Sequence, residues 1–532
     1  MLSSRPGSPH QSNHVTDILA QRAEHTHQQS GFGFEARSRD RQLILMILAV
    51  LVTQILMYQQ AFGITPWGED YILAIQARLG EQSGAWSFFT GSPLSDYRPL
   101  QALTYWAVGR WQIENPFPLI HILSFAAFSF YAFVFALWIR LCRLPTSATL
   151  CALVVLFLHP VLAGPLADLD GFTRFVVSGW VWLGAYFAFK YADRPSVAIP
   201  LTSICFAIGL GFMEYAVALV PLSILAAWWG GTGRPTRRIR TALALSLALL
   251  VLFAAYYFVR ISVIGYADAG RLWFNPVDWA RNFIMLSVAV LFMGDTVPVY
   301  VQRGGALVTA AISVTIMALM LFSGLWLWHR AERDRQGSMY IQDPTARVFP
   351  FLVTAMLVPF FPMVFMLHIS EIYATPILFV FALLTGFAVA GWAQAPRKYV
   401  VASFLVLVLH TVWACVSVRA KVGGVRAASE QAGVFTRDLL GKIPSEAHDL
   451  RVALVFLESE LPGRPYSVFA PGDDLFIGPD VAAWAAMEWL RPGKNIELLH
   501  LIVDDKSAVR LQDFDMVLYW NPSNRRFESW KA

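Results

Sequence analysis

The chain has 532 residues, of which 56% are hydrophobic and only 14% charged, and its formal net charge at pH 7 is +5. Soluble domains average about 25% charged residues, whereas this chain has a mean hydropathy of +0.51. Long stretches carry no charge at all. This composition excludes a soluble enzyme, a disordered chain and a disulfide scaffold, and it indicates a polytopic helical membrane protein.

Apolar runs along the sequence predict the membrane spans. Residues 1–41 are polar and lack apolar periodicity, so we expect a disordered cytoplasmic tail. A span needs about 20 apolar residues, and the clear runs are 42–62, 117–139, 146–164, 172–190, 241–262, 306–328, 349–367, 374–393 and 398–418. The apolar stretch 196–229 would measure about 51 Å as one helix, too long for a hydrocarbon core of about 30 Å. We therefore expect two short helices that turn near Gly209, Gly211 and Glu214, giving about 11 spans.

Basic residues in the loops predict the orientation of the spans. If the short apolar segment 280–294 is an interfacial or re-entrant helix, fourteen Lys and Arg residues lie in loops on one side and six on the other. The fourteen are Arg140, Arg143, Lys190, Arg194, Arg234, Arg237, Arg238, Arg240, Arg330, Arg333, Arg335, Arg347, Arg397 and Lys398, and the six are Arg78, Arg98, Arg110, Arg271, Arg281 and Arg303. The N-terminus is then cytoplasmic and the C-terminus periplasmic, in a bacterial inner membrane. Because the basic residues are spread over short loops, they indicate topology and not a nucleic-acid surface.

The composition becomes mixed from about residue 420. Strand-like runs occur at 451–457, 466–469, 496–503 and 516–520, and a helical pattern spans about 481–490. We predict a small periplasmic α/β domain over 420–532, after a transmembrane domain over 42–419. The predicted fold class is thus an all-α polytopic membrane protein with a small C-terminal α/β extracytoplasmic domain.

Charged groups gather on the predicted outer side. The long loop 63–116 carries the acidic pair Glu69 and Asp70, and then the segment Asp96-Tyr97-Arg98-Pro99. Further polar groups stand at the outer ends of later spans, namely His159, Asp168, Asp170, Arg174, Glu214, His368 and Glu371. A charge at membrane depth costs about 2.5–3.5 kcal/mol on insertion scales. Several such groups on one side predict a polar, water-accessible cavity.

The order of these groups resembles the polytopic C-type glycosyltransferases, especially the protein O-mannosyltransferase-like members and others that use polyprenyl-phosphate sugars. The shared features are the acidic pair in the first outer loop, Tyr-Arg-Pro-Leu at 97–100, His-Pro at 159–160, an arginine opening the fourth span, a glutamate in an outer hairpin and Glu-x-Tyr-x-x-Pro at 371–376. The resemblance covers about residues 42–394. Two positions depart from it: Met213 stands where relatives often carry lysine, and Ile372 where they often carry arginine.

The resemblance implies transfer of a sugar from a polyprenyl-phosphate-linked donor to a glycan, lipid or protein acceptor on the outer face. Asp70, with Glu69 beside it, matches the catalytic acid that takes the acceptor proton. Arg98 and Arg174 are the candidates for the donor phosphate, because a guanidinium can bind phosphate through two hydrogen bonds. The candidates for binding or orienting a substrate are Asp96, Tyr97, His159, Glu214, Glu371 and Tyr373. Glu69, Glu214 and Glu371 are also the candidates for holding a divalent cation such as Mg or Mn.

Other interpretations stay open at this point. Asp70 is alternatively a solvated loop acid or a helix cap, Asp96 and Arg98 a local ion pair, and His159 a structural residue at a helix end. A transporter or flippase of lipid-linked glycans would place its ionisable groups near the bilayer midplane. A catalytically inactive scaffold presenting residues 420–532 would tolerate substitution of the outer acids and arginines.

Overall fold

The structure is a computed structural model that describes residues 41–64, 84–90, 97–111, 117–167, 171–264, 275–296, 299, 305–336, 344–365, 371–457, 494–503, 514–521, 523–524 and 526–529. The chain divides into two compact units, residues 1–53 and residues 54–532. In the first unit the described residues are helical, and the Thr53 hydroxyl donates a hydrogen bond to the carbonyl oxygen of Ala49 at 2.9 Å. Every element after the first helix belongs to the second unit.

Helices make up most of the described chain. They are α1 (Arg41–Gly63), α2 (Ser87–Thr90), α3 (Pro99–Trp111), α4 (Phe117–Cys142), α5 (Thr146–Leu158), α6 (Ala163–Ala167), α7 (Phe172–Lys190), α8 (Pro195–Phe212), α9 (Leu219–Gly230), α10 (Pro235–Ile264), α11 (Pro276–Leu291), α12 (Ala306–Gln336), α13 (Pro344–Ala355), α14 (Phe361–Val364), α15 (Thr375–Trp392) and α16 (Arg397–Lys442). Short 3-10 helices lie at Gln59–Gly63, Pro160–Leu162, Glu214–Ala218, Val358–Phe360 and Glu371–Ala374.

Nine helices of the described chain are long and apolar enough to cross a membrane, so the chain is an integral membrane protein. They are Arg41–Gly63, Pro118–Cys142, Thr146–Ala167, Pro195–Phe212, Pro235–Val263, Ala306–Asp334, Ala346–Val364, Ile372–Trp392 and Arg397–Ala427. The other two predicted spans are also helical: α7, which carries Arg174 near its start, and the shorter apolar stretch Glu214–Gly230. The predicted polytopic helical fold class is confirmed. The short helix α11 corresponds to the predicted interfacial or re-entrant segment and is not among the nine.

The predicted turn within 196–229 is confirmed. α8 ends at Phe212, and Met213 then takes an extended backbone conformation (φ −167°, ψ 145°). Asp193, just before α8, contacts Thr232, just after α9, so the two helices form an antiparallel hairpin. At 1.5 Å per residue, α8 is about 27 Å long, which is close to the thickness of a hydrocarbon core of about 30 Å. Its two ends therefore lie at opposite faces of a membrane.

Aromatic side chains fill the core between α4, α7 and α15. The rings of Trp182 and Phe379 stack with centroids 4.7 Å apart, and Trp138 packs edge-on against Trp182 at 6.2 Å. A buried indole N–H needs a hydrogen-bond partner. Nε1 of Trp138 donates to the carbonyl oxygen of Trp182 at 3.0 Å, and Nε1 of Trp182 donates to that of Pro376 at 3.1 Å. This packing fixes α7 against α15, and the first turns of these helices border the candidate site.

The long helix α16 connects the membrane part to a small sheet. It has 46 residues and a length of about 69 Å, more than twice the thickness of a core of about 30 Å. It passes through residue 420, where we predicted the start of the C-terminal domain, and it ends at Lys442. The division of the chain into domains at that position remains a prediction.

Four strands form the sheet, in the order β2-β1-β3-β4. They are β1 (Arg451–Leu457), β2 (Glu497–Val503), β3 (Met516–Asn521) and β4 (Arg526–Ser529). β1 is parallel to β2 and β3, whereas β4 is antiparallel to β3. Leu439 and Ile443, at the end of α16, pack with strand residues such as Trp520 in one apolar core. The three strands β1 to β3 were predicted and β4 was not, while the predicted segments 466–469 and 481–490 lie outside the described residues.

Asp193 joins the α7–α8 loop to the α9–α10 loop. Its carboxylate accepts hydrogen bonds from the N–H of Thr232 at 2.8 Å, the hydroxyl of Thr232 at 2.5 Å and the N–H of Gly233 at 3.1 Å. Burial alone would raise the pKa of Asp193, but these hydrogen bonds and the charge of Arg237 outweigh burial and lower the pKa. A carboxylate with a lowered pKa stabilises the fold above its unfolded pKa, and this contribution is lost as the pH falls through the folded pKa.

We expect Asp193→Asn to lower the free energy of unfolding by about 1.5–3 kcal/mol, the usual contribution of hydrogen bonds to a charged acceptor. The measurement is thermal unfolding of the purified protein in detergent. The difference from wild type should be largest well above about pH 3.9, the unfolded pKa of aspartate, and should shrink below it. Asp334→Asn, which alters an exposed acid of α12, is the control. Equal unfolding temperatures for the two variants would contradict this role of Asp193.

Candidate functional site

A glutamate and two arginines from distant parts of the chain meet at one end of the helix bundle. Oε2 of Glu214 lies 3.6 Å from Nε of Arg98, and Oε1 of Glu214 pairs with Nη1 of Arg260. The side chains of Glu214 and Arg98 are partly exposed, at 34% and 21%, whereas Arg260 is buried, with 11% of its side chain exposed. The structure thus brings together two predicted site residues, and it adds Arg260, which the sequence analysis missed. We call these three residues the Glu214 cluster.

Each member of the Glu214 cluster is placed by the end of a helix. Arg98 directly precedes α3, Glu214 opens the 3-10 helix after α8, and Arg260 lies near the C-terminus of α10. Asp193 stands at the opposite end of α8, about 27 Å away along the helix. In a membrane the Glu214 cluster therefore lies at an interface and not at the midplane.

Arg260 could have been recognised from the sequence. It lies inside the apolar run 241–262, and an arginine within such a run is unfavourable, by about 2.5–3.5 kcal/mol at the centre of a span and by less near its end. Such a cost indicates that the arginine has a partner or lines a polar cavity. In the structure the partner is Glu214, a residue that the sequence analysis had singled out alone.

Two tyrosines hold the arginines of the Glu214 cluster in place. The Tyr256 hydroxyl donates a hydrogen bond to the carbonyl oxygen of Tyr97 at 2.9 Å and accepts one from Arg260. Tyr97 directly precedes Arg98, and its own hydroxyl donates to the carbonyl oxygen of Phe89 at 3.2 Å. Burial raises the pKa of Tyr97, so that its phenol stays neutral and can donate at physiological pH. Tyr256 thereby links the backbone beside Arg98 to the guanidinium of Arg260.

A third arginine lies against the residue that precedes Glu214. Nη1 of Arg174 is 2.7 Å from Sδ of Met213, and its Cζ is 4.7 Å from the ring centroid of Tyr373. A guanidinium over an aromatic face is attracted by the ring quadrupole. The predicted residues Arg174 and Tyr373 are thus in contact with each other, and Met213 connects them to the Glu214 cluster.

His159 is fully buried, and both of its ring nitrogens are engaged. Nδ1 accepts a hydrogen bond from the N–H of Val161 at 3.2 Å, and Nε2 lies 2.9 Å from the carbonyl oxygen of Val290. A neutral imidazole has one donor and one acceptor, so Nε2 carries the proton and donates to Val290. His159 therefore links the end of α5 to the end of α11, which is the structural role of a residue at a helix end.

A second ion pair joins α16 to the segment after α11. Nζ of Lys421 lies 3.9 Å from Oδ1 of Asp295, and the side chain of Lys421 is fully buried while that of Asp295 is 12% exposed. The sequence analysis singled out neither residue. Because α16 continues from Lys421 to the sheet, this pair fastens the helix that carries the sheet to the membrane part of the protein.

Several predicted site residues lie outside the described residues. These are Glu69, Asp70 and Asp96, and also Asp168, Asp170 and His368. The backbone of Glu371 opens the 3-10 helix Glu371–Ala374, but the position of its side chain is not among the parts of the chain that the structure describes. The roles predicted for these residues stay predictions.

The described part of the site suits an anion better than a metal ion. Across the residues that the structure describes, no three His, Cys, Asp or Glu side chains come together to hold a metal. Glu214 does not fit as a cation ligand in this arrangement, because a guanidinium faces each of its two oxygens. Among the predicted ligands of a divalent cation, Glu69 and Glu371 remain as predictions. Guanidinium groups are well suited to binding phosphate.

Comparison with protein-family models gives no match, and comparison with curated proteins gives none either. Among solved structures, the chain is similar to ArnT from Cupriavidus metallidurans. ArnT bound to undecaprenyl phosphate has 12% identity and a TM-score of 0.44, covering 78% of this chain and 82% of ArnT. ArnT in the apo state has 13% identity and a TM-score of 0.46, with the same coverage of 78% and 82%. The likeness concerns the fold and not the chemistry of the site.

Proposed function

We propose that this protein is a membrane glycosyltransferase that transfers a sugar from a polyprenyl-phosphate-linked donor to an acceptor on the outer face of the cytoplasmic membrane. The observation that carries the proposal is the Glu214 cluster, in which the partly exposed Arg98 and the buried Arg260 stand at helix ends. Two guanidinium groups and one carboxylate leave an excess positive charge, which attracts an anionic phosphate. The ends of membrane-spanning helices also lie at the same depth as the headgroups of the membrane lipids.

The arginines are assigned to the leaving group. In the proposed reaction the bond between the anomeric carbon and the phosphate oxygen breaks, and its electron pair stays on the lipid phosphate. Fixed donors aimed at developing negative charge are a main source of catalysis. Arg98 and Arg260 would supply them, and Arg174 beside Tyr373 is the candidate for a further contact with the phosphate or the sugar.

The acceptor hydroxyl must lose its proton as its oxygen attacks the anomeric carbon. Asp70, with Glu69 beside it, is the proposed general base, on the strength of the family resemblance. The attack takes place opposite the departing phosphate, so that the configuration at the anomeric carbon inverts. Asp96, Tyr97 and Glu371 remain proposed contacts for the sugar or the acceptor.

The position of the cluster favours an enzyme over a transporter. Transporters bind their substrates near the bilayer midplane, at breaks in membrane-spanning helices. The Glu214 cluster stands at the end of α8, about 27 Å from Asp193 at its other end. This depth suits a reaction on a lipid headgroup better than passage of the headgroup across the membrane.

Arg98→Ala tests the assignment of the leaving-group site. We expect sugar transfer to fall by about 10²–10³-fold, the usual effect of removing one donor to a developing oxyanion. The assay follows a labelled sugar from a polyprenyl-phosphate donor in membrane vesicles with matched protein amounts. Arg110→Ala is the control, because Arg110 lies in α3, the helix that Arg98 directly precedes, but packs on Trp106 at 4.9 Å, and it should keep the wild-type rate. Equal rates in the two variants would overturn the role of Arg98.

Asp70→Asn tests the proposed base in the same assay. We expect transfer to be abolished while binding of polyprenyl phosphate stays at the wild-type level, because the base acts on the acceptor and not on the phosphate. Unchanged transfer by a correctly folded variant would remove Asp70 from the mechanism. A loss of transfer accompanied by an equal loss of lipid binding would assign Asp70 to the donor site instead.

A further inference from the structure

Glu214 occupies the place where the proposed phosphate would bind. Each of its oxygens faces a different guanidinium: Oε2 faces Arg98 at 3.6 Å, and Oε1 faces Arg260. A phosphate group would use its oxygens in the same way, since carboxylate and phosphate bind the same guanidinium geometry. The phosphate and Glu214 therefore compete for one pair of arginines.

Glu214 is the most exposed member of the Glu214 cluster. Its side chain is 34% exposed, whereas Arg260 is buried and Nε of Arg98, the atom that faces Glu214, is buried as well. The carboxylate is therefore the member of the cluster with the most room to move away. Water can also solvate the carboxylate once it leaves the arginines.

Arg260 has a second contact besides Glu214, and the backbone next to Arg98 is held by the same tyrosine. Arg260 donates to the hydroxyl of Tyr256, and that hydroxyl donates to the carbonyl oxygen of Tyr97 at 2.9 Å. Arg98 is the next residue after Tyr97. Glu214, in contrast, opens a 3-10 helix of five residues directly after the extended Met213. Its side chain can change rotamer without moving a long helix.

We propose that Glu214 is an exchangeable counter-ion, which holds Arg98 and Arg260 while the site is without a lipid phosphate and is displaced when the phosphate binds. This inference rests on the proposed function. It also accounts for product release. The sugar donor is a phosphodiester with one negative charge, whereas the product is a phosphate monoester with about −1.5 to −2 at pH 7. When the Glu214 carboxylate returns to the arginines, it competes with the lipid phosphate monoester, which the arginines hold more strongly than the donor.

The test is binding of a short-chain polyprenyl monophosphate to the purified full-length protein in detergent micelles. Polyprenol, which lacks the phosphate, measures binding of the hydrocarbon tail alone. When an internal group competes with the lipid, the apparent affinity of the protein for the lipid equals the intrinsic affinity multiplied by the fraction of molecules in which the site is open. We therefore expect Glu214→Gln to bind the phosphate lipid about tenfold more tightly, as it would if Glu214 leaves the phosphate site open in roughly one wild-type molecule in ten. The lipid should also dissociate more slowly from this variant.

Glu497→Gln is the matched control. Glu497 also pairs with an arginine, Arg451, at 3.0 Å, but this pair belongs to the sheet and lies outside the proposed site. Its loss should leave the affinity for polyprenyl monophosphate unchanged. If Glu214→Gln does not fold, Glu214→Asp takes its place, because a shorter side chain reaches the two arginines less well and should also raise the affinity.

The outcomes separate this inference from the proposed function. If wild type binds the phosphate lipid more tightly than polyprenol and Arg98→Ala weakens that binding, the arginines bind phosphate. An unchanged or lower affinity of Glu214→Gln would then overturn the counter-ion and leave the site intact. If wild type and Arg98→Ala bind the phosphate lipid no better than polyprenol, the proposed function itself fails, and the counter-ion fails with it.

Discussion

One carboxylate shared by two guanidinium groups is the interaction on which the candidate site depends. Glu214 joins the start of α3, the turn after α8 and the end of α10, three points that are far apart in the chain. A buried arginine near the end of a membrane helix, such as Arg260, is costly without a partner of opposite charge, and Glu214 supplies that partner. The same pairing concentrates positive charge where the helices end. Stability and affinity for an anion therefore have one physical origin.

The surroundings of the Glu214 cluster explain why it is at the membrane surface. Polar groups stand at both ends of the antiparallel helices α7 and α8. Arg174, near the start of α7, and Glu214, after the end of α8, lie at one end, and Asp193 with its partners lies at the other. α16 begins at Arg397, reaches Lys421, which pairs with Asp295, and continues to Lys442 before the sheet. The sheet therefore follows the part of α16 that lies beyond the ion pair with Asp295.

Hydropathy and length predicted eleven spans, and nine helices of the described residues are long and apolar enough to cross a membrane, because burial in a bilayer constrains both properties. The hairpin within 196–229 followed from length alone, and the structure places its break at Met213. Arg98 and Glu214 were each singled out, but their contact could not be predicted, because it depends on how α3 and α8 pack. Arg260 was missed because it lies within an apolar run whose average hydropathy conceals one charge. The extension of α16 was missed because residues 419–442 are polar and include two adjacent glycines, Gly423 and Gly424, which disfavour helix.

The most direct test is an experimental structure of the full-length protein with a bound polyprenyl monophosphate. We expect phosphate oxygens within hydrogen-bonding distance of Arg98 and Arg260, about 2.7–3.2 Å from their nitrogens, with the Glu214 carboxylate turned away from both. A phosphate bound elsewhere in the protein, with Glu214 still paired to the two arginines, would contradict it.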